Sequence, residues 1–223
     1  NPLVIVDDAD LKLATDVALQ GAFYSTGQRC TASSRFIVTD GIHDRFVKAL
    51  TEKMQKLKVD DALKEGTDIG PVVDERQLEQ DLRYIELGRK EGARLTAGGS
   101  RLEREKQGYY LEPALFVDTT PAMTINREEI FGPVAAVMRV KNYDEALAVA
   151  NDTEFGLSAG ICTTSLKLAT HFKRNAQAGM VMARPVSLPP LTVATNLRNP
   201  LFHLRRSAAF PRSPAPSALP PWH

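Results

Sequence analysis

Leu3-Val4-Ile5-Val6-Asp7-Asp8-Ala9-Asp10-Leu11-Lys12-Leu13-Ala14 decides the fold, because its two halves ask for different secondary structures. Leu3 to Val6 is a short continuous apolar run, the pattern of a strand buried on both faces. Asp8 then stands where an N-cap belongs, ahead of Leu11, Leu13, Ala14, Val17, Ala18 and Ala22 at helical spacing. The same alternation continues along the chain. Phe36-Ile37-Val38 reads as a strand, and His43 to Leu57 as a helix with Phe46, Leu50 and Met54 every fourth residue. Asp74 to Glu91 reads as an amphipathic helix whose inner stripe is Leu78, Leu82, Ile85 and Leu87, and Ala97-Gly98-Gly99 as a turn. Beyond it come the strand Leu115-Phe116-Val117, the strand Val134 to Val140 and a helix from Tyr143 to Ala150. A strand from Leu157 to Cys162, a helix from Leu166 to Gln177 and the apolar run Met180-Val181-Met182 complete the series. Strands separated by helices of this length predict βαβ units, and hence an α/β fold with a mainly parallel sheet flanked by helices.

The bulk properties set the outer limits. A chain of 223 residues, 43% hydrophobic and 25% charged, is long enough to bury a sizeable core. No apolar run approaches the roughly 20 residues a membrane helix requires, and no basic region precedes a long apolar stretch as in a secretory signal. The absence of a starting Met suggests processing or a fragment. Two cysteines far apart form no disulfide framework, so a reducing, cytoplasmic setting is expected. The net charge of +1 hides an asymmetry, since Phe155 to His223 carries no Asp or Glu but eight Lys or Arg. Those charges are scattered and few aromatics lie among them, so neither nucleic acid nor a membrane is expected as a partner.

After about Ala183 the composition changes. Nine of the fourteen prolines lie between Pro185 and Pro221, and Pro211-Arg212-Ser213-Pro214-Ala215-Pro216-Ser217 suits neither a helix nor a central strand. Two units follow: residues 1–183 as the folded domain, and residues 184–223 as an irregular, proline-rich C-terminal tail. A proline-rich ligand for a partner domain is one reading of that tail. Its abrupt onset favours a segment out of frame relative to the ancestral gene.

Cys30 is the first candidate for chemistry, in Ser25-Thr26-Gly27-Gln28-Arg29-Cys30-Thr31-Ala32. A thiol becomes a nucleophile when it is deprotonated and reachable. Gly27 permits a tight backbone path before it, and the Arg29 charge favours the thiolate. Against this stands the ordinary fate of free cysteines, burial as small hydrophobes. That reading fits Cys162, inside the apolar run Ser158-Ala159-Gly160-Ile161-Cys162. A Cys–His hydrolytic pair is the rival mechanism, but His43 and His171 read as solvated surface residues, and His203 and His223 lie in the tail. No paired Cys or His stands at metal-ligand spacing, so no metal is expected.

The second informative segment is Asn126-Arg127-Glu128-Glu129-Ile130-Phe131-Gly132-Pro133-Val134. Two acids, an aromatic and a Gly-Pro turn precede a strand, so side chains here can meet a cleft at the sheet's edge. A carboxylate can hydrogen-bond a ribose diol and an aromatic can support a planar ring. A helix first turn with a core phenylalanine remains the open alternative. No glycine-rich phosphate loop of either common form is present.

Taken together, these segments resemble the aldehyde dehydrogenase superfamily. Gly27-Gln28-Arg29-Cys30 resembles its active-site cysteine signature. Glu129-Ile130-Phe131-Gly132-Pro133 resembles its second motif, and Asn151-Asp152-Thr153-Glu154-Phe155-Gly156-Leu157-Ser158 a third, all in matching order. The likeness runs from Asn1 to about Met182. Phe23 to Arg35 and Gly156 to Ser165 are most similar to α-ketoglutaric semialdehyde (2,5-dioxovalerate) dehydrogenases. The resemblance implies oxidation of an aldehyde, here a semialdehyde, to an acid with NAD or NADP. Cys30 would be the catalytic nucleophile, forming a thiohemiacetal and then a thioester, with its N–H as an oxyanion donor. Glu129 and Phe131 would contact the cofactor, Arg29 and Thr31 would line the substrate tunnel, and the whole enzyme would be a homo-oligomer. The family's cofactor-binding domain, its general-base glutamate and its oxyanion asparagine are expected ahead of Asn1, and its Pro-Phe-Gly-Gly segment and last strand after Met182. This chain then corresponds to part of the catalytic domain. The alternative expectation is an inactive fragment, at most a thiol-bearing or subunit-interaction module.

Overall fold

The computed structural model describes residues 1–184 and 194–195. The described residues include ten strands: β1 (Pro2–Ile5), β2 (Arg35–Thr39), β3 (Arg94–Ala97), β4 (Arg101–Leu102), β5 (Tyr110–Leu111), β6 (Ala114–Val117), β7 (Val134–Val140), β8 (Ser158–Cys162), β9 (Met180–Arg184) and β10 (Ala194–Thr195). The helices are α1 (Leu11–Phe23), α2 (Asp40–Met54), α3 (Glu75–Lys90), α4 (Thr124–Arg127), α5 (Tyr143–Asn151) and α6 (Leu166–Asn175). The expected irregularity of the tail lies outside the described residues, apart from Arg184, which ends β9, and Ala194–Thr195, which form β10.

Eight strands make one sheet in the order β10-β9-β8-β1-β2-β7-β6-β3, while β4 and β5 form a separate antiparallel pair. Pairing is parallel from β9 across to β6, and antiparallel only at the two edges, β10 with β9 and β3 with β6. β1 lies in the middle, with Leu3 opposite Phe36 on one side and Gly160 on the other.

The continuous apolar runs are explained by burial on both faces. Along β1, Leu3 and Ile5 face α1 and α2, in a core with Phe36, Phe46, Leu50 and Val137. Val4 and Val6 face α5 and α6, in a second core with Ile37, Met138 and Phe172. A third cluster, built on Phe116, Leu78, Ile85 and Ile125, seats α3 against β6. The result is three layers, helix on sheet on helix.

Several boundaries differ from the sequence expectation for local reasons. The N-cap of α1 is Asp10, not Asp8: the Leu13 N–H donates to Asp10 Oδ1 at 2.8 Å. Asp8 instead accepts hydrogen bonds from the hydroxyls of Thr163 and Thr164 at 2.8–2.9 Å, tying the end of β1 to the end of β8. Asp10→Ala is expected to cost about 1 kcal/mol and to lower the melting temperature by roughly 2–4 °C, measured by thermal unfolding followed by circular dichroism. α2 starts at Asp40, three residues before the expected His43. That start turns His43 onto the inner face with Ile42 and Phe46, so it is buried and not a solvated surface residue. His171 is exposed, as expected.

Candidate active site

The cavity that matters has a volume of about 470 Å³, and it opens at the amino-terminal ends of the parallel strands. Asn1 precedes β1, Cys30 precedes β2, Glu129 and Phe131 precede β7, Phe155 precedes β8 and Gln177 precedes β9, and all line it. Open α/β sheets usually hold ligands beyond the carboxyl ends of their strands. Here the opposite rim is used.

The approach to Cys30 begins where α1 ends. Ser25, Thr26 and Gly27 follow one another in the left-handed region, at φ 57°, 55° and 66°. For the two residues with side chains this costs roughly 1–2 kcal/mol each, so the surroundings must hold the turn. The Gln28 side-chain oxygen accepts the Thr26 hydroxyl at 2.8 Å and the Val73 N–H at 3.0 Å. Gly27 lies against the opposing segment so closely that a Cβ there would fall 2.3 Å from the carbonyl oxygen of Gly132. Asn1 fastens the other side. Its amide donates to the carbonyls of Cys30 and Ala32 at 2.8 and 2.9 Å, and its oxygen accepts the Ser158 N–H at 3.1 Å. Cys30 itself is exposed, while Cys162 is buried in β8. The Cys30 N–H has no hydrogen-bond acceptor among the described residues.

The other predicted residues divide. Arg29 lines the cavity, but its guanidinium donates to the carbonyls of Gln20 and Gly21 at 2.7 and 3.0 Å, tying the cysteine loop to the end of α1. Thr31 is not among the lining residues. Glu129 is exposed and makes no hydrogen bond or ion pair among the described residues. Phe131 is 37% exposed and left-handed, at φ 60°. An aromatic held open in that conformation is the kind of strain that collects at ligand sites.

Sequence reasoning did not find Asn1, Arg35, Asn126 or Phe155 as lining residues. Arg35, at the start of β2, is 5% exposed, and donates to the carbonyls of Val149 at 3.1 Å and Asp152 at 3.5 Å. Its Nε and Nη1 have no partner among the described residues. Burial, with the Arg127 charge nearby and Asp152 opposing, pushes it down to about 10, so it stays cationic at neutral pH. The third motif has two parts: Thr153 to Leu157 line the cavity, while Asn151 and Asp152 hold the surrounding backbone. Asp152 pairs with Arg127 at 2.6 Å, and Asn151 bridges to the Asn175 carbonyl and the Gln177 N–H. Among the described residues no group of His, Cys, Asp and Glu could hold a metal ion, and no helix is long and apolar enough to cross a membrane.

An exposed thiol on a tightly held turn, an exposed carboxylate and an open aromatic thus line one cavity on an α/β scaffold. The chain belongs to the aldehyde dehydrogenase family, whose model matches residues 1–188. An α-ketoglutaric semialdehyde dehydrogenase of Bacillus subtilis is 41% identical over 220 residues, covering 98% of this chain and 44% of the relative. A betaine aldehyde dehydrogenase of Brucella anthropi is 42% identical over 195 residues, covering 86% of this chain and 40% of the relative. The structure of a betaine aldehyde dehydrogenase from Staphylococcus aureus in complex with NAD+ matches with a TM-score of 0.81 and 32% identity, over 85% of this chain and 38% of that one. The chain thus spans less than half the length of these relatives. The Bacillus alignment covers so much of the chain that it runs past Met182, where the motif likeness was expected to end.

Proposed function

We propose that this chain is the thiol-bearing part of an NAD(P)-dependent aldehyde dehydrogenase, with Cys30 as the catalytic nucleophile. The observation that carries this reading is the exposure of Cys30 on the cavity that Glu129 and Phe131 also line. The Cys30 sulfur, as thiolate, bonds to the aldehyde carbon while the carbonyl electron pair moves onto oxygen, giving a thiohemiacetal anion. The unpaired Cys30 N–H points to the role of oxyanion donor, an interaction commonly worth about 3–4 kcal/mol of barrier. A nicotinamide nucleotide fits the residues opposite: among the described residues Glu129 makes no hydrogen bond or ion pair, which leaves its carboxylate for a ribose diol, and Phe131 offers a partly exposed ring. When bound, that cofactor supplies the two-electron oxidation that converts the adduct to a thioester. Cys30 is then the leaving group as water adds to the acyl carbon, releasing the acid and restoring the thiol.

Arg29 and Thr31, which flank the nucleophile, are assigned to the substrate tunnel by adjacency, with Arg29 also fixing the loop. A semialdehyde is the proposed substrate class, on the likeness of Phe23 to Arg35 and Gly156 to Ser165 to the branch represented by the Bacillus relative. Because the chain spans less than half of its relatives, turnover is proposed for a polypeptide of their length, there as a homo-oligomer. The second reading, a thiol-bearing module that does not turn over alone, rests on that same coverage.

Thiol labelling tests whether the site is formed in this chain. Iodoacetamide is expected to modify Cys30 faster than Cys162 by on the order of 100-fold or more, since Cys162 reacts only through opening of the buried sheet. Peptide mass spectrometry over a time course reads both rates, and equal rates would refute a preformed site.

A further inference from the structure

Helix α3 carries four polar residues where an amphipathic helix usually keeps an apolar stripe: Gln77, Gln80, Asp81 and Tyr84, at spacings of i, i+3, i+4 and i+7. All four engage one segment, the stretch from Glu128 to Gly132 that presents Glu129 and Phe131 to the cavity. The side-chain amides of Gln77 and Gln80 both donate to the Ile130 carbonyl, at 3.2 and 2.8 Å. The Tyr84 hydroxyl donates to Glu128 Oε2 at 2.6 Å. Asp81 lies directly against Gly132, where an added Cβ would fall 2.0 Å from its Oδ1. Gly132 in turn abuts Gly27, three residues before Cys30. A run of contacts therefore links α3 to the presenting segment and on to the nucleophile turn.

Asp81 is fully buried. Among the described residues it accepts one hydrogen bond, from the Gln77 amide at 2.8 Å, and its Oδ2 has no partner. Besides Asp81, α3 carries Glu75, Arg76, Glu79, Arg83, Tyr84, Glu86, Arg89 and Lys90, and the facing segment carries Glu128 and Glu129. Arg83 stacks over the Tyr84 ring, at 5.3 Å from its centroid, and none of these groups forms a hydrogen bond or ion pair with Asp81. A buried carboxylate without a cation is unfavourable.

We propose that α3 is a positioning element for the Glu128–Gly132 segment, and that Asp81 in its neutral form is the buttress that seats Gly132 against Gly27. Its consequence for cofactor contact rests on the role given above to Glu129 and Phe131. Burial, against the weaker opposing effect of the Gln77 hydrogen bond, pushes the Asp81 carboxyl up to about 7. Because that value is raised by folding, the seating is intact at low pH and is lost as pH rises through about 7.

Hydrogen–deuterium exchange on the 223-residue chain tests this without requiring activity. After correction for intrinsic rates, protection of the amides around Glu128 to Gly132 is expected to fall about tenfold or more between pH 6 and pH 8.5, while that of β1 and β2 stays constant. Asp81→Asn, which keeps the shape and cannot ionise, is expected to hold its pH 6 protection at both values. Protection independent of pH in the wild type, or an Asn variant that follows the wild type, would overturn the proposal. If the Asn variant does not fold, the Asp81 carboxyl is followed by carbon NMR in the wild type. A midpoint in the ordinary aspartate range, about 3.9, sinks the idea, and one near neutrality supports it. Failure of this pattern leaves Cys30 labelling unaffected, and failure of the labelling leaves this pattern unaffected, so the two readings fall separately.

Discussion

Replacing Cys30 by serine in an enzyme of the relatives' length is expected to reduce aldehyde-dependent NAD(P)H formation by on the order of 10⁴-fold or more, as losses of a covalent nucleophile do. A serine hydroxyl keeps the size of the thiol but is ionised to a negligible extent near neutrality, so it is a far weaker nucleophile. The substitution is close to neutral for folding, because the residue is exposed and the Asn1 bonds go to the main-chain carbonyls of Cys30 and Ala32. Exposed positions of that kind change stability by about 0.5 kcal/mol or less. Unchanged thermal unfolding alongside lost turnover therefore separates chemistry from structure. Turnover within about tenfold of the wild type would remove Cys30 from the mechanism.

Gly27→Ala is the second large effect, and it acts through shape. At φ +66° an added Cβ would stand 2.3 Å from the Gly132 oxygen and 2.8 Å from the Ala22 oxygen, both main-chain atoms that no rotamer change can move. The backbone preference and the enforced displacement together are expected to cost about 2–4 kcal/mol, lowering the melting temperature by roughly 5–15 °C. Alkylation of Cys30 should slow in parallel, because the turn that presents it is displaced. Gly92→Ala is the control: its φ is +94°, but nothing lies within 4 Å of the added carbon, so only the backbone contribution applies. If both variants unfold at the same temperature, the Gly27–Gly132 contact does not hold the site.

The parts of this molecule that were legible in the sequence are those fixed by short-range pattern. Val134 to Val140 was bounded to the residue because an apolar run buried on both faces has sharp ends. The start of α2 was missed because Asp40 and Gly41 read locally as loop residues, and with it the burial of His43. On α3 the expected stripe was half right. Leu78 and Ile85 are buried, Leu82 and Leu87 only partly, and the polar face contacting Ile130 went unseen because polar residues on a helix normally signal solvent. Cys30, Glu129 and Phe131 could be singled out by motif, and they share the cavity. Asn1, Arg35 and Phe155 join them only because β8 lies beside β1 and β7 beside β2. That adjacency is a property of the sheet order and leaves no local trace in the sequence.

The central place of β1 also has a temporal meaning. Its two neighbours are β2, which closely follows it, and β8, paired through Leu3 with Gly160 and Ile5 with Cys162. On the ribosome, β1 keeps one open edge after β2 has paired with it, until β8, much later in the sequence, has been synthesised. Pairings this distant in sequence form slowly, and an exposed apolar edge meanwhile is a template for the wrong partner. The middle of the sheet thus closes only when β8 arrives, and the interval before that is when a nascent chain most needs a chaperone.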